Sequence, residues 1–216
     1  MRTAFRDLPM DLYIYLKGIL LGFAIAAPVG PIGVLCIRRT LASGRLHGLV
    51  TGLGAASADA VYGSIAVLGL TVISHYLLDR QPLLQLIGGA FLCFLAWQTW
   101  HSEVADKPLF RPVAAGQLIG MYASTFGLTL TNPMTIFSFL GIFAGLGAVP
   151  GRAGAFVIVL GVFCGSALWW LLLSVCTGYF REKMDTKSLV LVNRLSAILI
   201  AAFGLSVFYQ MLSTLF

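Results

Sequence analysis

The sequence predicts an all-α membrane protein of six transmembrane helices, laid out as two inverted three-helix repeats whose first and fourth helices are broken. Composition is the first reason. Of 216 residues, 59% are apolar and 10% charged, where a soluble domain carries about 25% charge, and mean hydropathy is +0.93. Spacing is the second: apolar residues fall into six long stretches, with charges almost confined to the gaps. The third is a likeness between the halves. "GFAIAAP" at 22–28 can be laid over "GLTLTNP" at 127–133, with glycine and proline at matching offsets.

A hydrocarbon core needs about 20 apolar residues to cross, and the spans fall near 12–37, 46–72, 82–100, 115–146, 153–178 and 189–214. They form one transmembrane domain over 1–216, with repeat 1 at about 12–100 and repeat 2 at about 115–214. Residues 1–27 have features of a cleaved signal peptide: Arg2, Arg6, an apolar run and "AIA" at 24–26. The apolar run continues to Ile37, so it reads as a retained first span. Three spans per half is an odd number, so the second copy runs through the membrane upside down, a recurring plan in secondary transporters.

The gaps at 38–45, 101–114 and 179–188 hold eight Lys or Arg residues, against four on the opposite side. Basic residues in short loops favour the cytoplasm, so both termini are expected outside it. The net charge of +6 is spent on this orientation. It comes in short clusters with no continuous basic face, which excludes nucleic-acid binding.

The first span, "AIAAPVGPIGVLCIRR" at 24–39, carries Pro28, Gly30 and Pro31 in its interior. An interior proline removes a backbone hydrogen bond and clashes with the preceding turn, at about 3 kcal/mol. In lipid the freed groups cost several kcal/mol more, so such backbone persists only where protein or a watery cavity satisfies it. Pro28 lies about 13 Å of helix from Ile37, and Pro133, preceded by Thr131 and Asn132, is at comparable depth. Two breaks entering from opposite directions should meet near the midplane. Half-helix N–H groups attract anions and half-helix carbonyls attract cations, which suits a zwitterion. The plainer alternative is two kinked, packed helices.

Asp59 in "GLGAASADAVYG" is the only acid deep within a span. An ionisable side chain there costs at least ~2.5–3.5 kcal/mol and marks an ion or substrate path. It suits either a substrate ammonium or a proton; the structural alternative is a permanently protonated, hydrogen-bonded aspartate. The small residues Gly52, Gly54, Ala55, Ala56, Ser57 and Ala58, and Gly161, Gly165, Ser166 and Ala167, allow close helix packing. Ser57 and Ser166 are also candidates to line a pathway, and Trp169 and Trp170 to wall a pocket or sit nearer an interface. Cys36, Cys93, Cys164 and Cys176 lie in or beside apolar segments with no C-x-x-C pair, and read as small buried hydrophobes. His47, His75 and His101 lie at span ends. No metal site and no cofactor are expected.

"APVGPIGVLCIRRTLASGRLHGLVTGLGAASADAVYG" resembles the first conserved block of the lysine exporter (LysE) family, and "TLTNPMTIFSFLGIFAGLG" its fourth-span block. "GVFCGSALWWLLLS" and "VNRLSAILIAAFG" are similar to its fifth and sixth spans. The likeness covers nearly the whole chain. It implies a bacterial inner-membrane exporter of amino acids or related solutes driven by the proton gradient, with motif positions at Pro28, Gly30, Pro31, Asp59, Asn132 and Pro133. Exporters of basic amino acids have polar residues directly after the break, whereas Ile32 and Gly33 follow Pro31 here. The resemblance therefore favours a neutral substrate. The expected partners are the bilayer, a small amino-acid substrate and protons; a homo-oligomer is left open.

Three other classes compete. A metal-cation exporter would use the same aspartate and backbone carbonyls, but the spans hold no further deep acids. An intramembrane enzyme needs a nucleophile with a base, or metal ligands, and no such pairing occurs within a span. A non-transporting scaffold leaves the broken helices unexplained.

Overall fold

The computed structural model describes residues 10–28, 30–67, 81–101, 115–132, 135, 138–139, 151–181 and 186–215. Within them the chain forms seven helices: α1 (Met10–Ala26), α2 (Pro31–Ser43), α3 (Arg45–Val67), α4 (Gln81–Trp100), α5 (Ala115–Leu130), α6 (Gly151–Arg181) and α7 (Thr186–Leu215). Among the described residues, three helices are long and apolar enough to cross a membrane: Arg45–Val67, Ala153–Arg181 and Lys187–Tyr209. The α1–α2 pair qualifies together as one span bent by 83°.

The first break falls where the prolines put it. The last helical residue of α1 is Ala26, and α2 begins at Pro31. The helix then continues well beyond Ile37. Residues 38–43, expected in a loop, are its last turns, and Gly44 alone separates α2 from α3. Nothing between Pro31 and Gly44 interrupts a helix. Gly44 does so with φ +99°, a left-handed value that glycine adopts without a Cβ clash, while its N–H caps Thr40 O at 2.8 Å. The expected 179–188 loop shrinks likewise, because 179–181 belong to α6 and 186–188 to α7.

α2 is the centre of the bundle. Its Leu35 and Cys36 are fully buried and pack with Ala55 and Ala56 of α3, Leu92, Leu95 and Ala96 of α4, Trp170 of α6 and Ile200 of α7. Around it α1 lies along α6, α5 along α3, α3 along α6, and α4 along α7. Small residues permit the close pairs. A Cβ on Gly18 would stand 2.5 Å from Ile158 O, and one on Gly161 would stand 2.9 Å from the Gly18 Cα. Gly52 accommodates the Trp170 side chain, and Gly54 faces the backbone of Tyr122.

The outer surface is apolar. Leu20, Trp97, Phe156, Leu205 and Tyr209 are each more than 60% exposed, and so large an apolar surface belongs against lipid. The cysteines divide: Cys36 is buried, Cys93 and Cys164 are half-buried, and Cys176 is exposed. The expectation of four buried thiols is thus corrected. Cys176 lies on the outward face of α6, where lipid rather than protein supplies the apolar surroundings.

Candidate functional site

The residues at the two breaks and the single deep acid surround one cavity of about 480 Å3, within the size range of small-molecule sites. α2 brings its first turn. Gly30 is the extended N-cap residue, and Pro31 at the first helical position gives up an N–H that would have no helical partner anyway. No side chain caps this end. The N–H groups of Ile32 and Gly33 therefore lack a partner within the helix, and both residues line the cavity.

α5 brings its last turn. Beyond Leu130 the chain bends: Thr131 N–H donates to Gly127 O at 3.0 Å, Asn132 N–H to Thr129 O at 3.2 Å, and Thr135 N–H to Asn132 O at 3.1 Å. Tyr62 of α3 donates its hydroxyl to Leu130 O, occupying a carbonyl at the end of the helix. Thr129, Thr131, Asn132, Thr135 and Ser138 all face the cavity.

Asp59 enters from α3 and is 3% exposed. Its Oδ2 accepts a hydrogen bond from Ser166 Oγ of α6 at 2.6 Å, and Ser166 Oγ in turn accepts from Trp170 Nε1 at 3.1 Å. The walls between these groups are apolar, including Ile25, Ile32, Leu92, Leu128, Phe203 and Val207. Among the described residues, Asp59 is the only charged side chain that lines the cavity. Chemically, such a chamber holds one cationic group at the carboxylate and an apolar body against the walls, with helix N–H groups for an anion. Among the described residues no three His, Cys, Asp or Glu side chains gather as a metal ion would require.

The opposite end of α2 is closed by arginines. Arg39 is buried and donates to Thr51 Oγ1 at 3.2 Å, Met121 O at 3.0 Å, Thr125 Oγ1 at 2.9 Å and Ser124 Oγ at 2.9 Å. Those hydroxyls send their own protons to backbone carbonyls of their helices, His47 O and Met121 O. Their lone pairs are left for the guanidinium. Arg38 Nε donates to Asn193 Oδ1 at 3.1 Å, and Asn193 Nδ2 donates to Thr99 O at 2.8 Å, linking α2, α7 and α4. Arg181 Nε reaches Leu41 O at 2.6 Å and thereby ties α6 to the C-terminal end of α2.

The model of the LysE type translocator family matches residues 23–211. The chain belongs to that family. Its members are transporters, not enzymes. Among curated relatives, the chain is 27% identical over 211 residues to a Bacillus subtilis protein named "Putative amino acid efflux protein YcgF", covering 91% of this chain and 96% of that one. It is 28% identical over 141 residues to the "Uncharacterized membrane protein YahN" of Escherichia coli, covering 64% and 63%. To the "Chemotactic transduction protein ChpE" of Pseudomonas aeruginosa it is 25% identical over 176 residues, covering 80% and 86%. No solved structure matches the chain.

In this LysE-type translocator, Pro28, Gly30, Pro31, Asp59 and Asn132 all line the same cavity. Pro133, the sixth position singled out in the sequence, lies outside the described residues, as does His75. Ser166 touches Asp59, whereas Ser57 hydrogen-bonds Leu53 O of its own helix and is not among the lining residues. The two tryptophans part company: Trp170 lines the cavity, and Trp169 meets Phe23 of α1 edge-on at 5.3 Å. The hydroxyl row at 129–138 and the arginine end were not anticipated as parts of the site's frame. The threonines beside Asn132 were the available signal for the first, and the unbroken run from Pro31 to Gly44 for the second.

Proposed function

We propose that this translocator exports amino acids or related small solutes across the bacterial inner membrane in exchange for protons, with neutral substrates preferred over basic ones. The observation that carries the reading is the cavity itself, where one carboxylate, two helix breaks and apolar walls surround space for a small solute. Asp59 takes the substrate ammonium or a proton. The first turn of α2 receives the substrate carboxylate, Pro28, Gly30, Pro31 and Asn132 keep the backbone open around it, and Pro133 joins the site as a motif position of the family. A single acid between apolar walls supports a neutral zwitterion over a solute with a second cationic group. The printed name of the Bacillus subtilis relative supports amino acid efflux.

The reading includes six spans in two inverted repeats over about 12–100 and 115–214. Its support is the pairing of helices. Exchanging the halves turns the α1–α6 pair into the α5–α3 pair and leaves the α3–α6 and α4–α7 pairs unchanged. The reading also places the arginine end at the cytoplasm and both termini outside. On that orientation the cavity lies beyond a closed cytoplasmic gate, in a state suited to releasing solute outward.

The test is uptake into inverted membrane vesicles carrying the protein, using a panel of labelled amino acids. Proton-driven accumulation of neutral amino acids, lost when the gradient is collapsed, is the expected result. Accumulation of metal ions alone, or of no amino acid, would overturn it.

A further inference from the structure

The bonding around Asp59 makes its two oxygens unequal. Ser166 Oγ stands 2.6 Å from Asp59 Oδ2 and 3.1 Å from Trp170 Nε1. An indole N–H can only donate, and a serine hydroxyl has a single proton to give. Trp170 therefore fills one lone pair of Ser166, and among the described residues the serine proton has one acceptor, Oδ2 of Asp59. Ser166 is fully buried and does not line the cavity, while Asp59 and Trp170 do. Tyr62, the next titratable side chain along α3, is committed to Leu130 O. No cationic side chain lines the cavity among the described residues, so none of them competes with Ser166 for Oδ2.

We infer that Ser166, held by Trp170, is a positioning residue that fixes Oδ2 as a permanent acceptor and reserves Oδ1 for whatever the cavity brings. This rests on the export reading only for its use, not for its geometry. In either protonation state Oδ2 receives the serine proton, so an arriving proton lands on Oδ1 and an arriving ammonium is met there. Protonation and cation binding then compete for one atom. The arrangement also ties the cavity wall to the acid, since the ring that supplies the N–H is itself a lining side chain packed over Gly52.

Infrared difference spectroscopy during a pH titration of the purified protein reads this without any substrate. The Asp59 carboxylic acid band is the one that disappears in D59N. With Oδ1 protonated, the carbonyl is Oδ2, and its hydrogen bond from Ser166 lowers the stretching frequency. In S166A the band moves to higher wavenumber, and in S166T, which keeps the hydroxyl, it returns towards the wild-type position. W170F, which removes the donor behind Ser166, produces a smaller shift than S166A. A thermal melt of each variant identifies those that are folded. A band that stays in place in folded S166A, or the absence of any D59N-sensitive band, overturns the inference. Failure of amino acid uptake with the S166A band still displaced would strike the export reading and leave the role of Ser166 standing.

Discussion

The two ends of α2 lie within one bundle and are treated in opposite ways. At the N-terminal end the backbone is interrupted, helix N–H groups are left uncapped, and a single acid faces about 480 Å3 of space. At the C-terminal end Arg39 reaches acceptors on α3 and α5 (Thr51, Ser124, Thr125), Arg38 reaches Asn193 of α7, which donates on to Thr99 O of α4, and Arg181 of α6 donates to Leu41 O of α2. Yet both ends bury charge at similar depth: Asp59 is 3% and Arg39 9% exposed. What differs is satisfaction. Arg39 has acceptors for its protons from two helices, whereas Asp59 has one donor and an open side. A buried charge with a full set of partners locks helices together; one with a vacancy is available for exchange.

The comparison breaks most visibly at Asp59. D59N keeps the shape and an acceptor for Ser166 but abolishes the ionisable group, so proton-driven accumulation in vesicles is expected to fall to background while the melting temperature stays near wild type. A variant that unfolds instead would make Asp59 a structural member like Arg39. At the other end the expectation reverses. R39M keeps a flexible apolar stem and removes four interhelical hydrogen bonds, each worth about 0.6 kcal/mol on average in membranes and more when charged. The expected loss is on the order of 2–3 kcal/mol in a denaturation series in detergent, without the loss of a group that touches the cavity.

The sequence made one end far more legible than the other. Proline and glycine in the middle of an apolar run have few physical readings, and a lone acid at depth has fewer still. Hence Pro28, Gly30, Pro31, Asp59 and Asn132, which all line the cavity, are legible from the sequence. Arg38 and Arg39 read as loop residues because charge in a hydrophobic sequence is the usual sign of a water-facing gap. The competing fact was that no breaker separates them from Pro31, so the helix carries them inward. Their acceptors, hydroxyls and a backbone carbonyl on α3 and α5 and the Asn193 amide oxygen on α7, carry no formal charge and leave no pairing pattern to read. The hydrogen bond from Ser166 to Asp59 spans 107 positions and joins two helices that only tertiary packing brings together.

Asn193 offers an intermediate test of the locked end. It accepts from Arg38 and donates to Thr99 O, so N193A breaks the bridge from α2 through α7 to α4. Two lost interhelical bonds correspond to about 1 kcal/mol, less than R39M.

The smallest effect is expected at Arg181, where it also discriminates best. Its guanidinium reaches Leu41 O and, at 3.3 Å, Ala42 O, carbonyls at the C-terminal end of α2 that have no helical donor. R181K keeps a positive charge near that negative end of the helix dipole but replaces a rigid fork by a point charge that can reach one carbonyl. If directed hydrogen bonds do the locking, R181K should lower stability by only about 0.6 kcal/mol, one interhelical hydrogen bond, well short of R39M. If charge alone were responsible, R181K would be silent and R181Q would cost as much as R39M. Measured side by side in the same denaturation series, the three variants decide whether the closed end of α2 is held by geometry or by net charge. Only a lock held by geometry can be undone by sliding one helix past its acceptors while every charge stays in place.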